Sequence, residues 1–341
     1  MSKTRVGIIN VTGYAGSELA RILYRHPDVT VEQVTGRSAA GKQLSEVYPH
    51  LLDADMTISP NLDSSVDFVF SALPHAASAQ ALSGFIEDDV RCVDISADFR
   101  LKDVNVFETW YKTAHPCPQY IENAVYGMPE LHREDVKRSR LIANPGCYPT
   151  GTILGLAPAF ASDIIETDVI SDSKSGVSGA GRKGDIAYNF NEINDNMSAY
   201  GLNGHRHMPE MAQELSALSS HGEVKVTFVP HLAPMTRGIL GTHYATLKRE
   251  LSHDEATEIY RDFYAGEPFV RVVASAPSTK ETWGSNHVLI NVNIDAHSGR
   301  LIVVTALDNL VKGAAGAGVQ NMNLMLGLPE ATGLETLAVY P

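Results

Sequence analysis

Cysteine is scarce in this sequence, with only Cys92, Cys117 and Cys147 among 341 residues. An odd number at wide spacing does not suit a disulfide framework and matches no zinc-binding pattern. Long apolar runs are also missing, since none approaches the ~20 residues that span a bilayer. The segment Met1–Arg5 leads directly into a strand pattern, without a signal-peptide core and cleavage site. We therefore expect a cytoplasmic protein in which a cysteine, if it has a role, acts as a thiol.

Positive charge is in deficit, because 27 Lys and Arg stand against 40 Asp and Glu, for a formal net charge of -13. A general nucleic-acid-binding protein would show a basic stripe or face, so this class is disfavoured. A small anionic substrate is compatible with the composition, because a few local Arg or Lys side chains suffice to hold a phosphate. The length is enough for two domains of ordinary size.

The order of the predicted elements indicates two domains of different type. Short β-branched strands alternate with helical stretches in the first part of the chain, which is typical of a parallel sheet with helices on both faces. Longer strands with more alternation follow, which indicates an antiparallel or mixed sheet. The two groups of strands are 6–9, 29–35, 66–72, 90–95 and 141–143, then 224–229, 238–247, 288–294 and 301–306. The pattern changes after about Ala157. We predict an α/β fold, and we assign a Rossmann-type domain to 1–146 and an α+β domain to 147–308.

The turn after the first predicted strand has the spacing Asn10-x-x-Gly13-x-x-Gly16. In a dinucleotide-binding turn the glycines let the backbone approach the pyrophosphate, which lies at a helix N-terminus. Asn10 stands where glycine is expected, but Asn tolerates positive φ better than most residues with a side chain. The motif is weak, and an ordinary βα turn explains it equally well. If it binds a cofactor, the contacts come from Thr12, Gly13, Tyr14, Ala15 and Gly16.

The end of the second predicted strand distinguishes between the two nicotinamide cofactors. An NAD site places Asp or Glu there to bind the ribose hydroxyls, whereas this chain has Arg37 and Ser38, followed by Lys42. These side chains suit a 2′-phosphate, so the sequence favours NADP(H). A solvated basic loop is the alternative.

Cys147 follows the predicted strand 141–143 and precedes an apolar helical pattern. At a helix start the unpaired N–H groups and the helix dipole favour the thiolate, which is the form that attacks a carbonyl carbon. A lone cysteine is more often a small buried hydrophobic residue. Cys92 lies in an apolar strand and Cys117 between two prolines, so neither has an activating context.

A thiolate needs a group that handles protons, and the densest candidate is His205-Arg206-His207. In an extended segment the two histidines would lie on one side and Arg206 on the other. Metal binding is the alternative use of two histidines. No third ligand is spaced to join them, so we predict no metal.

Six segments along the chain resemble the motifs of a known family. They are Gly13-Tyr14-Ala15-Gly16, Ser96-Ala97-Asp98-Phe99-Arg100, Asn144-Pro145-Gly146-Cys147-Tyr148-Pro149-Thr150, Ser175-Gly176-Val177-Ser178-Gly179-Ala180-Gly181-Arg182, His205-Arg206-His207-x-Pro209-Glu210 and Asp308-Asn309-Leu310-Val311-Lys312-Gly313. With these segments the chain resembles, nearly from end to end, the N-acetyl-γ-glutamyl-phosphate reductase family of arginine biosynthesis, which is related to the aspartate-semialdehyde dehydrogenases. The cysteine segment followed by His-Arg-His-x-Pro-Glu is the most specific part. Asn10 departs from the glycine that is usual in the family.

The resemblance implies a fold and a reaction. The fold is a dinucleotide-binding domain beside a glyceraldehyde-phosphate-dehydrogenase-like domain, with the C-terminal segment 309–341 completing the first. The reaction is the NADPH-dependent reduction of N-acetyl-γ-glutamyl phosphate to the semialdehyde, with Cys147 as nucleophile and His205 as its acid/base partner. Three alternatives stay open: the same reaction on a carrier-protein-bound aminoadipyl or glutamyl phosphate, the reaction on aspartyl phosphate, and a non-catalytic dinucleotide-binding regulator.

Four further side chains are predicted to bind the substrate. Arg100 would contact the phosphate, with an ion pair to Asp98 as the alternative. Arg206 would hold a substrate carboxylate. Asn144 and His207 complete this predicted set.

The remaining cofactor candidates lie in three loops. Ser71 lies at the end of the strand 66–72 and Pro74 just after it, and both would line the cofactor crevice. Ser175 and Gly176 begin a flexible Gly-rich wall near the nicotinamide or substrate, with a plain loop as the alternative. Asn309 would bind the nicotinamide amide, with helix capping as the alternative. Half-exposed apolar faces of the second domain need covering, so we expect a homodimer or homotetramer.

Overall fold

The computed structural model describes residues 3–63, 65–182 and 184–341, and the chain forms two compact units. The first unit contains Met1–Gly146 and Ala314–Thr336, and the second contains Cys147–Gly313 and Leu337–Pro341. The sequence assigns all of 309–341 to the first unit, whereas residues 309–313 and 337–341 group with the second.

A parallel sheet forms the centre of the first unit. Its strands are β1 (Thr4–Ile9), β2 (Val29–Val34), β3 (Phe68–Ser71), β4 (Arg91–Asp94), β5 (Ala124–Tyr126) and β6 (Leu141–Ala143). Within the described residues this sheet has six strands in the order β2-β1-β3-β4-β6-β5, and all its pairings are parallel. The predicted Rossmann-type domain is confirmed. The sequence does not predict β5, a three-residue strand at the edge of the sheet.

Helices connect these strands. They are α1 (Tyr14–Tyr24), α2 (Leu44–Val47), α3 (Ser78–Glu87), α4 (Val104–Tyr111) and α5 (Pro129–Arg138), with 3-10 segments at Arg37–Ala39, Pro49–Ala54 and Pro118–Asn123. All four residues of β3 are buried, because apolar neighbours cover both of its faces.

The strand order reverses at β1, which has β2 on one side and β3 on the other. In α/β folds such a reversal opens a crevice at the carboxyl ends of the strands, where ligands bind. Asn10 follows β1, and its Nδ2 donates a 2.8 Å hydrogen bond to the carbonyl of Ala72, which follows β3. Asn10 has a φ of 67°, which confirms that this asparagine adopts the conformation expected of a glycine.

A mixed sheet forms the centre of the second unit. Its strands are β7 (Ile165–Ser175), β8 (Ser198–Ala199), β9 (Lys225–Leu232), β10 (Ile239–Leu247), β11 (Val270–Val272), β12 (Val288–Asp295) and β13 (Arg300–Leu307). Within the described residues the order is β11-β12-β13-β10-β7-β9-β8. Strand β7 is parallel to β9 and antiparallel to β10, so the predicted mixed sheet is confirmed. The helices of this unit are α6 (Cys147–Ala161), α7 (Phe190–Ile193), α8 (Met208–Leu218) and α9 (His253–Phe263), with 3-10 segments at Val177–Ala180, Ile186–Tyr188 and Thr279–Thr282.

The sequence does not predict β7, the longest of these strands, because the buried positions in its second half are polar. Ser171, Ser173 and Ser175 are all buried, while Asp172 and Lys174 between them are only partly buried. The period of two is therefore present in the burial of the strand but absent from its hydrophobicity.

A buried polar network holds α6 against the sheet. His243 of β10 is fully buried, and its two ring nitrogens lie 3.0 Å from the hydroxyls of Ser171 and Thr305. Thr152 of α6 bonds to the same serine at 2.9 Å. A Cβ on Gly155 would lie 2.8 Å from the His243 ring, so glycine lets the helix approach this closely. The network therefore fixes the helix that begins at the candidate nucleophile.

The chain continues from β13 through a π-helical turn, Val311–Ala315, into α10 (Gly316–Met325). All ten residues of α10 are buried in the first unit. Its two asparagines donate to backbone carbonyls, and Gln320 donates to the carboxylates of Glu130 and Glu330. The bond from Asn321 to the carbonyl of Gly127 is 2.8 Å long. Among the described residues, no helix combines the length and apolar character that crossing a bilayer requires.

Candidate active site

The glycine turn after β1 packs closely on its own backbone. A Cβ on Gly16 would lie 2.3 Å from the carbonyl oxygen of Asn10, so only glycine fits there. Helix α1 begins at Tyr14 with Gly13 as its N-cap, and a glycine offers no side chain to accept from the first-turn amides. Such amides suit a pyrophosphate, so the turn fits a dinucleotide. Ala15, like Tyr14, is partly buried at this helix start.

The loop after β2 packs on the same turn. A Cβ on Gly36 would lie 2.6 Å from the side chain of Thr12, so the two segments are in close contact. Arg37 and Ser38 follow directly and are exposed, as binding a 2′-phosphate would require. Pro74, in the loop after β3, is also exposed.

Ser71 is a predicted cofactor contact, but the structure places it in a buried network. Its Oγ lies 2.6 Å from Ser78 Oγ, which lies 2.6 Å from the carboxylate of Asp94. Burial above all, and then the nearby charge of Asp98, raise the pKa of Asp94 to about 6. The Asp98 carboxylate itself accepts three backbone N–H hydrogen bonds of 2.6, 2.9 and 3.1 Å at the start of α3. Two buried carboxylates thus link the loops that follow β3 and β4.

Arg100 and Asn144 hold the backbone that precedes Cys147. Arg100 is buried and donates through Nε to the carbonyl of Asn144 and through Nη2 to that of Ile95, both at 2.8 Å. The Asn144 side chain donates to the carbonyl of Ala314 at 3.0 Å and accepts from Asn321 at 3.2 Å. Both predicted substrate contacts are therefore engaged with protein groups in this structure.

Cys147 is the first residue of α6 and is partly exposed, so the predicted helix start is confirmed. The backbone amides of the first helical turn favour a negative charge on a group at this position. Cys92 and Cys117 are buried, and burial raises the pKa of both thiols. Of the three cysteines, Cys147 alone is partly exposed and lies at a helix start.

His205 lies in an aromatic enclosure within the second unit. Its ring centroid is 5.9 Å from that of Tyr148, 5.7 Å from Tyr200, 5.2 Å from Phe228 and 4.8 Å from His207. Tyr148 directly follows the candidate nucleophile in the chain. The predicted acid/base histidine, His205, therefore packs against the residue that follows the predicted nucleophile in the chain.

The predicted extended conformation of residues 205–207 is wrong, because they form a turn that leads into α8. His207 has φ of -82° and ψ of -12°, and its backbone N–H donates to Nδ1 of His205 at 3.1 Å. The two rings still make an edge-on contact, and Arg206 is exposed. Burial first, and then the positive charge of Arg206, lower the pKa of His205 to about 4. The imidazole is therefore neutral at pH 7.

Two tyrosine hydroxyls complete the enclosure. Tyr200 donates to the hydroxyl of Tyr148 at 3.1 Å, and Tyr148 donates to the carbonyl of His231 at 3.3 Å. Burial raises the pKa of Tyr200 to about 12 and also raises the pKa of Tyr148, so both are neutral. Sequence reasoning misses both tyrosines and Phe228. The position of Tyr148 next to the cysteine is the one signal that could have marked it.

Asn309 ties two loops of the second unit together. Its Oδ1 accepts from the N–H of Gly238 at 2.7 Å, and its Nδ2 donates to Ser178 Oγ at 2.9 Å. Ser175 Oγ donates to the carbonyl of Gly176 at 2.9 Å. A Cβ on Gly176 would lie 2.7 Å from the backbone of the loop between β9 and β10. Protein contacts therefore hold the predicted flexible wall in place.

Among the described residues, no group of three or more His, Cys, Asp or Glu is arranged to hold a metal ion.

Two family models match the chain. "Semialdehyde dehydrogenase, NAD binding domain" matches residues 5–139, and "Semialdehyde dehydrogenase, dimerisation domain" matches residues 147–309. The fold is similar to that of aspartate semialdehyde dehydrogenase II from Vibrio cholerae complexed with ASA, at 18% identity and a TM-score of 0.74 over 96% of this chain and 99% of that one. It is also similar to the NADP complex of the Candida albicans enzyme, at 16% identity and a TM-score of 0.67 over 95% and 99%. Fold and domain matches together define an oxidoreductase of the semialdehyde dehydrogenase class.

More similar relatives narrow this class. The chain is 54% identical to an N-acetyl-γ-glutamyl-phosphate reductase of Dehalococcoides mccartyi over the full length of both proteins. It is 49% identical to that of Desulforamulus reducens over 99% of each, and 46% identical to that of Geobacter metallireducens over 98% of this chain and 99% of the relative. The chain belongs to the N-acetyl-γ-glutamyl-phosphate reductase family.

Proposed function

We propose that this protein catalyses the NADPH-dependent reductive dephosphorylation of N-acetyl-γ-glutamyl phosphate to N-acetylglutamate semialdehyde, in arginine biosynthesis. Family membership supports the oxidoreductase class and the substrate. The observation that carries the chemistry is a partly exposed Cys147 at the start of α6, with His205 enclosed beside the adjacent Tyr148. We further propose that the enzyme works in the cytoplasm as a homodimer or homotetramer, which the match to a dimerisation domain supports.

Cys147 is the proposed nucleophile. Its thiolate attacks the acyl carbon, the electron pair of the C=O bond moves to oxygen, and phosphate leaves to give a thioester. The backbone amides at the start of α6 are suited to stabilise the oxyanion. When bound, the nicotinamide cofactor supplies the hydride that reduces the thioester. The thiohemiacetal on Cys147 then releases the aldehyde and the thiolate. His205 is the candidate acid/base partner of Cys147 in these steps.

NADPH is the cofactor that the loop after β2 favours. The family match supports a nicotinamide dinucleotide. Arg37 and Ser38 are exposed beside the glycine turn and stand where an NAD site would carry an acidic residue. The proposed 2′-phosphate contacts are these two side chains, with Lys42 nearby.

The substrate contacts divide into two groups. Arg206 is exposed beside His205, and this position suits a carboxylate of the substrate. The His207 ring packs edge-on against His205, with 4.8 Å between the ring centroids, and His207 stays a candidate substrate contact. Arg100 and Asn144 bond to protein groups, so we assign them to positioning of the cysteine segment.

A single assay tests the proposal. The purified protein is mixed with N-acetylglutamate semialdehyde, phosphate and NADP⁺, and NADPH formation is followed by absorbance. We expect turnover in the wild type, none in Cys147→Ser, and a rate within about twofold in the control Cys117→Ala, since a buried thiol takes no part. A higher kcat/KM with carrier-bound aminoadipate semialdehyde would reassign the substrate. Full turnover in Cys147→Ser would refute the covalent mechanism.

A further inference from the structure

The loop after β3, residues 72–77, lies beside the glycine turn that follows β1. The N–H of Ala72 donates to the carbonyl of Ile9 at 3.0 Å, and Asn10 Nδ2 donates to the carbonyl of Ala72 at 2.8 Å. Both segments leave the carboxyl ends of neighbouring parallel strands, at the position where the strand order reverses and ligands bind. Residues 72–77, here called the crevice loop, therefore form one wall of the crevice to which we assign the cofactor.

Ala76 in the crevice loop has a left-handed backbone conformation, with a φ of 64°. A residue with a Cβ seldom adopts this conformation, because the Cβ comes too close to the carbonyl oxygen that follows. The next residue, Ala77, is the N-cap of α3 and makes no side-chain hydrogen bond. A methyl side chain has no hydrogen-bonding group, so contacts from outside the loop have to hold this conformation.

The carboxylate of Asp98 makes these contacts. Its Oδ1 accepts a hydrogen bond of 2.6 Å from the N–H of Ala76. Its Oδ2 accepts from the N–H groups of Ser78 and Ala79, at 3.1 and 2.9 Å. Amides at a helix start have no partner within the helix, and a carboxylate is able to accept at both oxygens. Asp98 is fully buried, so bulk water does not compete for these bonds.

The backbone of Asp98 is itself fixed on both sides. Its N–H donates to Ser96 Oγ at 3.1 Å, and the Ser96 hydroxyl donates to the carboxylate of Asp94 at 2.8 Å. The carbonyl of Asp98 accepts from Nε2 of His115 at 2.6 Å. Asp94 and His115 are also buried, so Asp98 is anchored in the interior of the first unit. The crevice loop takes its conformation from this anchor.

We propose that Asp98 is a positioning residue for the cofactor: it holds Ala76 at positive φ, and the crevice loop in this conformation is the form that binds the dinucleotide. The inference rests on the proposed function, which assigns a nicotinamide cofactor to the crevice. Because Asp98 is fully buried, it acts through the loop and not by contact with the cofactor. The 2′-phosphate is assigned to Arg37 on another loop, so Asp98 should affect NADP and NAD binding equally.

Asp98→Asn tests the anchor. Asparagine has one acceptor oxygen, so an orientation that keeps the bonds to α3 turns its NH₂ toward the N–H of Ala76. We expect the Kd of NADP⁺ and of NAD⁺, measured by fluorescence titration, to rise about tenfold, the order of one hydrogen bond to a charged group. Adding Ala76→Gly should recover about threefold or more, because glycine adopts positive φ without the Cβ contact. The control is Asp103→Asn, at an exposed aspartate that caps α4, with both affinities unchanged.

A second pair of variants keeps Asp98 intact and so does not depend on the folding of Asp98→Asn. Valine is strongly disfavoured at positive φ, so Ala76→Val should weaken the binding of both cofactors by about tenfold. The matched control is Asp89→Val, at an exposed residue beyond the other end of α3 with a φ of 58°. It introduces the same backbone conflict away from the crevice, so it should lower the melting temperature without changing either cofactor affinity.

Three results would overturn the inference. They are unchanged affinities in Ala76→Val, a loss in Asp98→Asn that Ala76→Gly does not relieve, and a loss confined to NADP⁺. The proposed function fails in a different way. A wild type that binds both cofactors but does not reduce NADP⁺ with N-acetylglutamate semialdehyde and phosphate would refute the proposed reaction, while the affinities of the variants would still decide the role of Asp98.

Discussion

Gly313 lies directly against Cys147: a Cβ added to Gly313 would be 2.8 Å from the Cβ of the cysteine and 3.2 Å from its Cα. Gly313 belongs to the π-helical turn Val311–Ala315, and its N–H donates to the carbonyl of Asp308 at 2.9 Å. Such turns occur frequently at functional sites. The contact determines where the carbon that bears the thiol can lie, and residue 313 therefore has to be glycine.

Gly313→Ala should displace the nucleophile without unfolding the protein. A contact under 3.0 Å forces either α6 or the π turn to move, and a shift of about 1 Å at a reacting group costs on the order of 10²-fold in rate. We expect kcat and the rate of Cys147 alkylation to fall together, with an unchanged circular dichroism spectrum. The matched control is Gly184→Ala, where a Cβ meets no atom within 4 Å. Equal alkylation rates in the two variants would refute the positioning role.

Arg100→Lys should separate a positioning role from phosphate binding. Lysine keeps the charge but cannot donate in two fixed directions to the carbonyls of Asn144 and Ile95. We expect kcat to fall about tenfold or more, while KM for phosphate in the aldehyde-oxidation assay stays within about twofold. Arg138→Lys, at an exposed site of α5, is the control. A large rise in KM for phosphate with little change in kcat would show instead that Arg100 binds the substrate.

Arg37→Ala should weaken the binding of NADP⁺ more than the binding of NAD⁺. Loss of a charge-assisted hydrogen bond to the 2′-phosphate is worth about 1.5–3 kcal/mol, which corresponds to roughly 10–150-fold in affinity. Fluorescence titration with each cofactor measures the effect, and Arg25→Ala, an exposed arginine at the other end of α1, is the control. If the substitution lowers the affinity for both cofactors equally, residues other than Arg37 determine the preference for NADP.

His243 should make the second unit sensitive to acid. Burial lowers the pKa of His243 to about 3 from an ordinary value of 6.5, so the folded chain binds fewer protons than the unfolded chain between these values. Stability is therefore complete above about pH 6.5 and falls as the pH drops toward 3, by up to about 1.4 kcal/mol per pH unit for this one group. Urea unfolding between pH 7 and 4 measures the slope.

The control for the pH dependence of the unfolding free energy is a substitution at an exposed histidine. His243→Gln should reduce the dependence on pH, whatever its effect on stability at pH 7, whereas His221→Gln should retain more of it because His221 is exposed. Identical slopes in wild type and His243→Gln would assign the acid sensitivity to other groups. His205 is one such group, since its pKa is also lowered.

Features with a local cause could be predicted from the sequence. Short β-branched runs predict the parallel strands. A strand, a Pro-Gly turn and an apolar helical pattern predict the helix start at Cys147. The positive φ of Asn10 follows from its place in the glycine turn. Each of these depends on residues within about one turn or strand of the position concerned.

The tertiary structure decided how the candidate side chains are used. Sequence reasoning selected Ser71, Arg100, Asn144 and Asn309 as ligand contacts, but their partners are backbone or side-chain groups 5 to 177 positions away. The aromatic enclosure of His205 is likewise assembled from α6, the segment before α8 and β9.

Composition and motif thus determined that Cys147 starts a helix and that a histidine pair is available. Whether that histidine is charged, and which of its ring nitrogens accepts a hydrogen bond, was decided only by the turn at 205–207 and by the rings packed around it. The physical reason is that backbone conformation and helix starts respond to neighbours in the chain. Burial and hydrogen-bond pairing depend on contacts that exist only after folding.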